Sequence, residues 1–165
     1  MADNIRSLDN VGLLFRLCEL ARVERLYLTG YTGYPYREGD TRPQRISLRH
    51  DHRITKTAVY AVPYQPWEYV EDPIPLVKNM KKQSVNVIAL EQTEQSISYH
   101  KVPVAGYSLP LTVILGHERQ GISQELLELA DTFVDIPILG LGNSHNVAIA
   151  AGIVLYHILE KTEKI

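Results

Sequence analysis

The chain has one cysteine, Cys18, which excludes an internal disulfide framework. The opening residues M-A-D-N-I-R-S carry no apolar core of a secretory signal. The most apolar run, near the C-terminus, is broken by Tyr156 and His157 and falls short of the roughly 20 residues that span a bilayer. A cytoplasmic protein without a membrane segment is expected. Sequence signatures of common chemistries are also missing. There is no G-x-G-x-x-G and no G-x-x-x-x-G-K-S/T for a dinucleotide or phosphate loop, and no G-x-S-x-G for a hydrolase nucleophile. The six histidines are scattered, and only His50 and His52 lie close together, so no metal site is expected. Neither sign of charge dominates: the net charge is −2, which gives no global attraction to nucleic acid.

What remains is globular. Of 165 residues, 45% are apolar and 22% charged, a composition for one domain with one core. Positive charge is locally concentrated. Arg37, Arg42, Arg45, Arg49, Arg53 and Lys56 fall within twenty residues, on a stretch read mostly as loop, where Arg42, Arg45 and Arg49 are candidates for tracking a phosphate backbone.

Apolar spacing predicts a helix over Val11 to Arg22 capped by Asp9 or Asn10, with Arg16 set in an otherwise apolar turn. Such an arginine must either reach solvent or hold an acceptor, because it cannot lose its charge. Strands are expected at Arg25 to Thr29, Gln65 to Val70, Val85 to Leu90, Leu111 to Leu115 and Thr132 to Ile138. Ile54 to Tyr60 reads as a short helix or an extended piece, and Ile74 to Lys82 as a helix with Pro75 in its first turn. Ser123 is expected to cap a helix reaching Ala130. The last helix follows a glycine-punctuated turn, Leu139 to Ser144, and opens with Ser144 and Asn146, which brings free N–H groups and polar side chains to one point. Strands alternating with helices imply an α/β domain with a mostly parallel sheet flanked by helices. Its ligands should gather at the carboxyl ends of the strands.

Three stretches in order carry a resemblance: D-N-I-R-S-L-D-N-V-G-L-L-F-R, V-I-L-G-H-E-R-Q-G-I-S and I-P-I-L-G-L-G-N-S-H-N-V-A-I-A-A-G-I. Together they resemble the motifs of the SpoU/TrmH family of RNA ribose methyltransferases, in the SPOUT class, over nearly the whole chain. That resemblance implies a C-terminal deep trefoil knot that binds S-adenosylmethionine, and a homodimer whose active site is shared between subunits. It further implies methyl transfer to a ribose 2′-hydroxyl of tRNA or rRNA by one SPOUT domain, residues 1–165, with no added RNA-binding domain. By the same resemblance Leu90, Gly116, Ile136, Leu139, Ser144 and Asn146 surround the cofactor, and Asn10, Arg16, Glu118 and Asn146 are catalytic. Arg16 anchors the phosphate and stabilises the developing alkoxide, while Glu118 pairs with a helix N-terminus or with Arg16. His145 departs from the Leu usual between that Ser and Asn, which bears on local packing. The alternatives are a non-catalytic RNA-binding or assembly protein of the same fold, and a base-directed SPOUT methyltransferase.

Overall fold

A computed structural model describes residues 1–165. In chain order the elements are β1 (Ala2–Asp3), α1 (Leu8–Leu20), β2 (Leu26–Thr29), α2 (Gln44–Ala58), β3 (Trp67–Val70) and α3 (Pro73–Lys82), then β4 (Asn86–Leu90), β5 (Ile97–Ser98), β6 (Leu111–Ile114), α4 (Gln124–Leu127), β7 (Thr132–Asp135) and α5 (Val147–Lys161). Every strand pairing is parallel, in two ladders ordered β1-β2-β3 and β5-β7-β4-β6. A parallel bridge between Ala2 and Leu115 joins them. Across it the Asp3 N–H donates to the Leu115 carbonyl at 2.8 Å, and the Leu115 N–H donates to the Met1 carbonyl at 2.9 Å.

Side chains alternate across a strand, and β4 shows what this does to the core. Val87 and Ala89 point to one face, where Val77 of α3, Ile114 and Leu126 of α4 cover them. Ile88 points to the other, against Val134 and against Val154 and Ile158 of α5. On the β1-β2-β3 half, Val11, Leu14 and Phe15 of α1 pack with Leu26, Leu28, Ile54 and Ala58. The α1–α2 contact is backbone-close at Gly12: a Cβ there would lie 2.3 Å from the Ile54 carbonyl oxygen.

Several expectations are corrected. Helix α1 is capped by Ser7, whose hydroxyl accepts the Asn10 N–H, so Asn10 lies inside the helix and is buried. The basic stretch is not mainly loop, since α2 spans Gln44–Ala58. Only Ser47, Ile54 and Ala58 of α2 are buried, too thin a stripe to read as helical from periodicity. The last strand stops at Asp135, before Pro137, and α4 is a short helix whose Ser123 makes no side-chain cap. In the final helix Asn146, not Ser144, is the cap, accepting from the N–H of Ala148 at 2.9 Å and of Ile149 at 3.3 Å.

Candidate active site at the carboxyl ends of the strands

The ends of β4, β6 and β7 open onto a cavity of about 570 Å³. Leu90, Gly116, Ile136 and Ser144 line it, together with Asp135 and His145. Leu139 does not: it is 98% exposed. Gly140 and Gly142 sit in open space, so that loop needs no glycine for packing. Gly116 does: a Cβ there would meet the Gly121 carbonyl carbon at 2.4 Å, because the turn after β6 folds back on it.

That turn carries Glu118, from which a polar relay crosses the site. Glu118 Oε2 accepts from the N–H of Arg6, and Oε1 from the N–H of Ser7 and from Asn10 Nδ2, each at 3.0 Å. Asn10 Oδ1 in turn accepts from Asn146 Nδ2 at 3.0 Å, and Asn146 Oδ1 caps α5. Each amide orientation is fixed by its neighbours, since a carboxylate only accepts and a backbone N–H only donates. Burial pushes the Glu118 carboxyl up, but the donors from Arg6, Ser7 and Asn10 outweigh it and hold the group below its ordinary value. Glu118 is therefore an ionised acceptor at the start of α1, paired with two backbone N–H groups and with Asn10. It makes no ion pair with Arg16. The relay joins the three stretches that carried the resemblance. Asn10 and Asn146 belong to it and do not line the first cavity.

Arg16 is exposed and lines neither this cavity nor its neighbour. Six positions along an α-helix turn it roughly 240° from Asn10. It reaches solvent, the first of the two outcomes expected for it.

A second cavity, of about 610 Å³, shares His117, Glu118 and Arg119 with the first. Asn10, Arg6, Tyr31, Arg49 and His50 complete most of its wall. Apart from Asn10, Arg49 and Glu118, sequence reasoning missed this grouping. His117 and Arg119 lay within the quoted V-I-L-G-H-E-R-Q-G-I-S stretch, but nothing local tied them to Arg6, Tyr31 or His50. The expectation for Arg42 changes too. Its five N–H donors go to Asp40 Oδ1 and Oδ2, the Tyr34 and Pro35 carbonyls and His50 Nδ1, and its guanidinium lies 3.4 Å from the Tyr34 ring centroid. Arg42 braces the loop before α2 and has no N–H left for a phosphate. Arg45 and Arg49 are exposed on α2.

No group of three or more His, Cys, Asp or Glu is placed to hold a metal. No helix is long and apolar enough to cross a membrane.

A sequence profile described as the SpoU rRNA Methylase family matches residues 1–156. The chain belongs to the SpoU rRNA methylase family. Among relatives of this SpoU chain is the tRNA (guanosine(18)-2'-O)-methyltransferase of Aquifex aeolicus, 26% identical over 99% of this chain and 69% of that one. The crystal structure of the A. aeolicus TrmH/SpoU tRNA modifying enzyme superposes with a TM-score of 0.74 at 25% identity, over 99% of this chain and 74% of that one. The SpoU methyltransferase AviRb from Streptomyces viridochromogenes, in complex with AdoMet, superposes with a TM-score of 0.78. At 18% identity, over 98% of this chain and 56% of that one, AviRb shows a shared fold.

Proposed function

We propose that this SpoU chain transfers a methyl group from S-adenosylmethionine to the 2′-hydroxyl of a ribose in tRNA or rRNA. The observation that carries the reading is the Glu118–Asn10–Asn146 relay, standing between a cavity at the strand ends and a second cavity lined by basic groups. The first cavity suits the donor in size and chemistry. Asp135 Oδ1 is buried without a hydrogen-bond partner and belongs to a residue on its wall, a carboxylate oxygen suited to a cationic ligand. Leu90, Gly116, Ile136 and Ser144 would hold S-adenosylmethionine there, and Asn146 would act through the cap it gives α5. Leu139 takes no part in this conformation.

Bound, the donor supplies a methyl group already activated by its sulfonium. The chain's part is to orient the ribose oxygen, which forms the new C–O bond as the sulfur–methyl bond breaks and the hydroxyl proton passes to solvent. Glu118, held below the ordinary carboxyl value by its N–H donors, is a weak base and holds Asn10 rather than taking that proton. Asn10 and Asn146 fix the wall against which the ribose is set. Arg16 stabilises developing charge on the oxygen. It lines neither cavity of its own chain, and in this reading it serves the site of a second copy. Support for that homodimer comes from a third, largely apolar cavity of about 900 Å³ beside Leu14, Leu17 and Leu20 of α1 and Leu155, Tyr156 and Leu159 of α5. The deep trefoil knot belongs to the same reading. So do a cytoplasmic site of action, a reaction without a metal, and RNA contact made by this one domain through Arg45, Arg49, Arg6 and Arg119.

The test is incubation with methyl-labelled S-adenosylmethionine and total tRNA or rRNA, followed by mapping of the product. Label on a ribose 2′-oxygen is expected. Label on a base, or none while RNA still binds, would overturn the reading.

A further inference from the structure

The turn after β6 is closed by two backbone bonds, His117 N–H to the Gly121 carbonyl at 3.1 Å and Gly121 N–H to the His117 carbonyl at 2.9 Å. Inside it His117 Nδ1 accepts from the N–H of Arg119 at 2.9 Å and of Gln120 at 3.1 Å. A ring nitrogen that accepts carries no proton, so the imidazole is neutral with its hydrogen on Nε2. That Nε2–H has no protein partner, and its residue is on the wall common to both cavities. His50 lines the second cavity too, with Nδ1 3.2 Å from Arg42 Nη1. A guanidinium only donates, so His50 is held in the same tautomer and its Nε2–H is also free.

The rest of the second cavity is of one kind. Arg6, Arg49 and Arg119 are exposed and form no ion pair, whereas the guanidinium of Arg53 is held by Asp9. The one carboxylate on its wall, Glu118, has its oxygens engaged by three donors. The wall thus offers N–H groups and cations, and no free carboxylate. Its complement is a ligand that accepts hydrogen bonds and carries negative charge.

We propose that the Nε2–H groups of His117 and His50 bind, as neutral donors, the phosphodiester on the 3′ side of the methylated ribose, with His117 as the main contact. The proposal rests on the methyl-transfer reading above. Covalent chemistry links the two: the 2′-hydroxyl and the 3′-phosphodiester stand on adjacent carbons, so a hydroxyl set between the cavities carries its phosphate into the second one. A donor held by a folded turn arrives already oriented, and His117 would place the ribose as well as bind it. Neutral tautomers also exclude either imidazole from taking the hydroxyl proton at Nε2, which already bears one.

Two variants separate this role from turn capping. In His117→Asn the side-chain oxygen takes the place of Nδ1 as turn acceptor, as Asn does in Asx turns, while the Nε2–H is lost. In His117→Gln a side-chain N–H takes the place of Nε2. His117→Asn is expected to keep its melting temperature within about 2 °C and its calorimetric S-adenosylmethionine Kd within about twofold. The KM for RNA should rise about tenfold, with partial rescue in His117→Gln. A matched RNA carrying one uncharged methylphosphonate 3′ of the mapped nucleotide should bind wild type about tenfold more weakly, yet bind His117→Asn no more weakly than the natural RNA does. Equal RNA KM in wild type and His117→Asn, or the same methylphosphonate penalty in both, overturns the phosphate contact and leaves the methyltransferase reading standing. Absence of any label on RNA with the wild-type protein overturns both.

Discussion

Replacing Glu118 with Gln removes a charge and leaves the shape nearly unchanged, so it isolates what the carboxylate does. Glu118 receives three N–H donors, one at Oε2 from Arg6 and two at Oε1 from Ser7 and Asn10. An amide has a single oxygen. Set at the Oε1 position it keeps Ser7 and Asn10, but its NH₂ then faces the Arg6 N–H and that donor loses its acceptor. A hydrogen bond to a charged group contributes about 1.5–3 kcal/mol. Arg6 lies at the surface, where water can replace the lost partner, so the lower end applies, about 1.5 kcal/mol. In a domain of this size each kcal/mol moves Tm by about 2–4 °C, so calorimetry at pH 7 should show a fall of about 3–6 °C. The pH dependence gives a second readout. Burial raises the Glu118 carboxyl and its N–H donors lower it by more, leaving it below the ordinary value. A carboxyl depressed by folding stabilises the protein above its unfolded value and loses that contribution as pH falls through the folded one. The gap between wild type and Glu118→Gln should therefore be full near pH 7 and close as the solution is acidified below about pH 4. The pH–rate profile of methyl transfer should keep its form, because Glu118 accepts no proton in the reaction. Equal melting temperatures at pH 7, or a gap persisting undiminished to pH 3, would refute the reasoning.

Other perturbations address the remaining parts. Gly12→Ala forces a methyl against the Ile54 carbonyl and the Thr57 hydroxyl, so α1 and α2 must separate; urea unfolding should show a loss of about 1–3 kcal/mol, and a change under 0.5 kcal/mol would contradict the close contact. Arg49→Ala should lower the slope of log RNA affinity against log salt by roughly 0.7–0.9. Arg42→Ala should leave that slope alone and lower Tm, and a reversal of the two would show that the brace and the contact have been interchanged. Arg16→Ala should abolish methyl transfer while S-adenosylmethionine binding by calorimetry is retained; wild-type turnover would remove Arg16 from the reaction.

What could be read from the chain follows a physical division. Strands β4 and β6 were legible because both are short apolar runs with β-branched residues, buried through the middle of β4 and at Ile114 of β6, and α5 because an Asn cap precedes a dense apolar stripe. Helix α2 was not, since most of its residues meet water and its periodicity is carried by Ser47, Ile54 and Ala58. Ser7 and Asn10 stand three positions apart, and only the N–H actually accepted decides which is the cap. The polar residues of the relay were legible as a group through the three ordered stretches. Their partners were not, because the bond from Glu118 to Asn10 spans 108 positions and that from Asn146 to Asn10 spans 136. The direction of Arg16 depended on helical phase relative to a site not yet located. Leu139 was assigned to the cavity by the resemblance alone, and in three dimensions the loop carries it outward.

The joint between the two ladders is only as long as β1, and it is stitched at Leu115, the residue immediately before Gly116. Peeling away the first few residues would therefore unzip the sheet where the cavity floor begins. On slow heating, the amides of Asp3 and Leu115 should exchange with deuterium early, and methyl-donor affinity should fade before the helices melt.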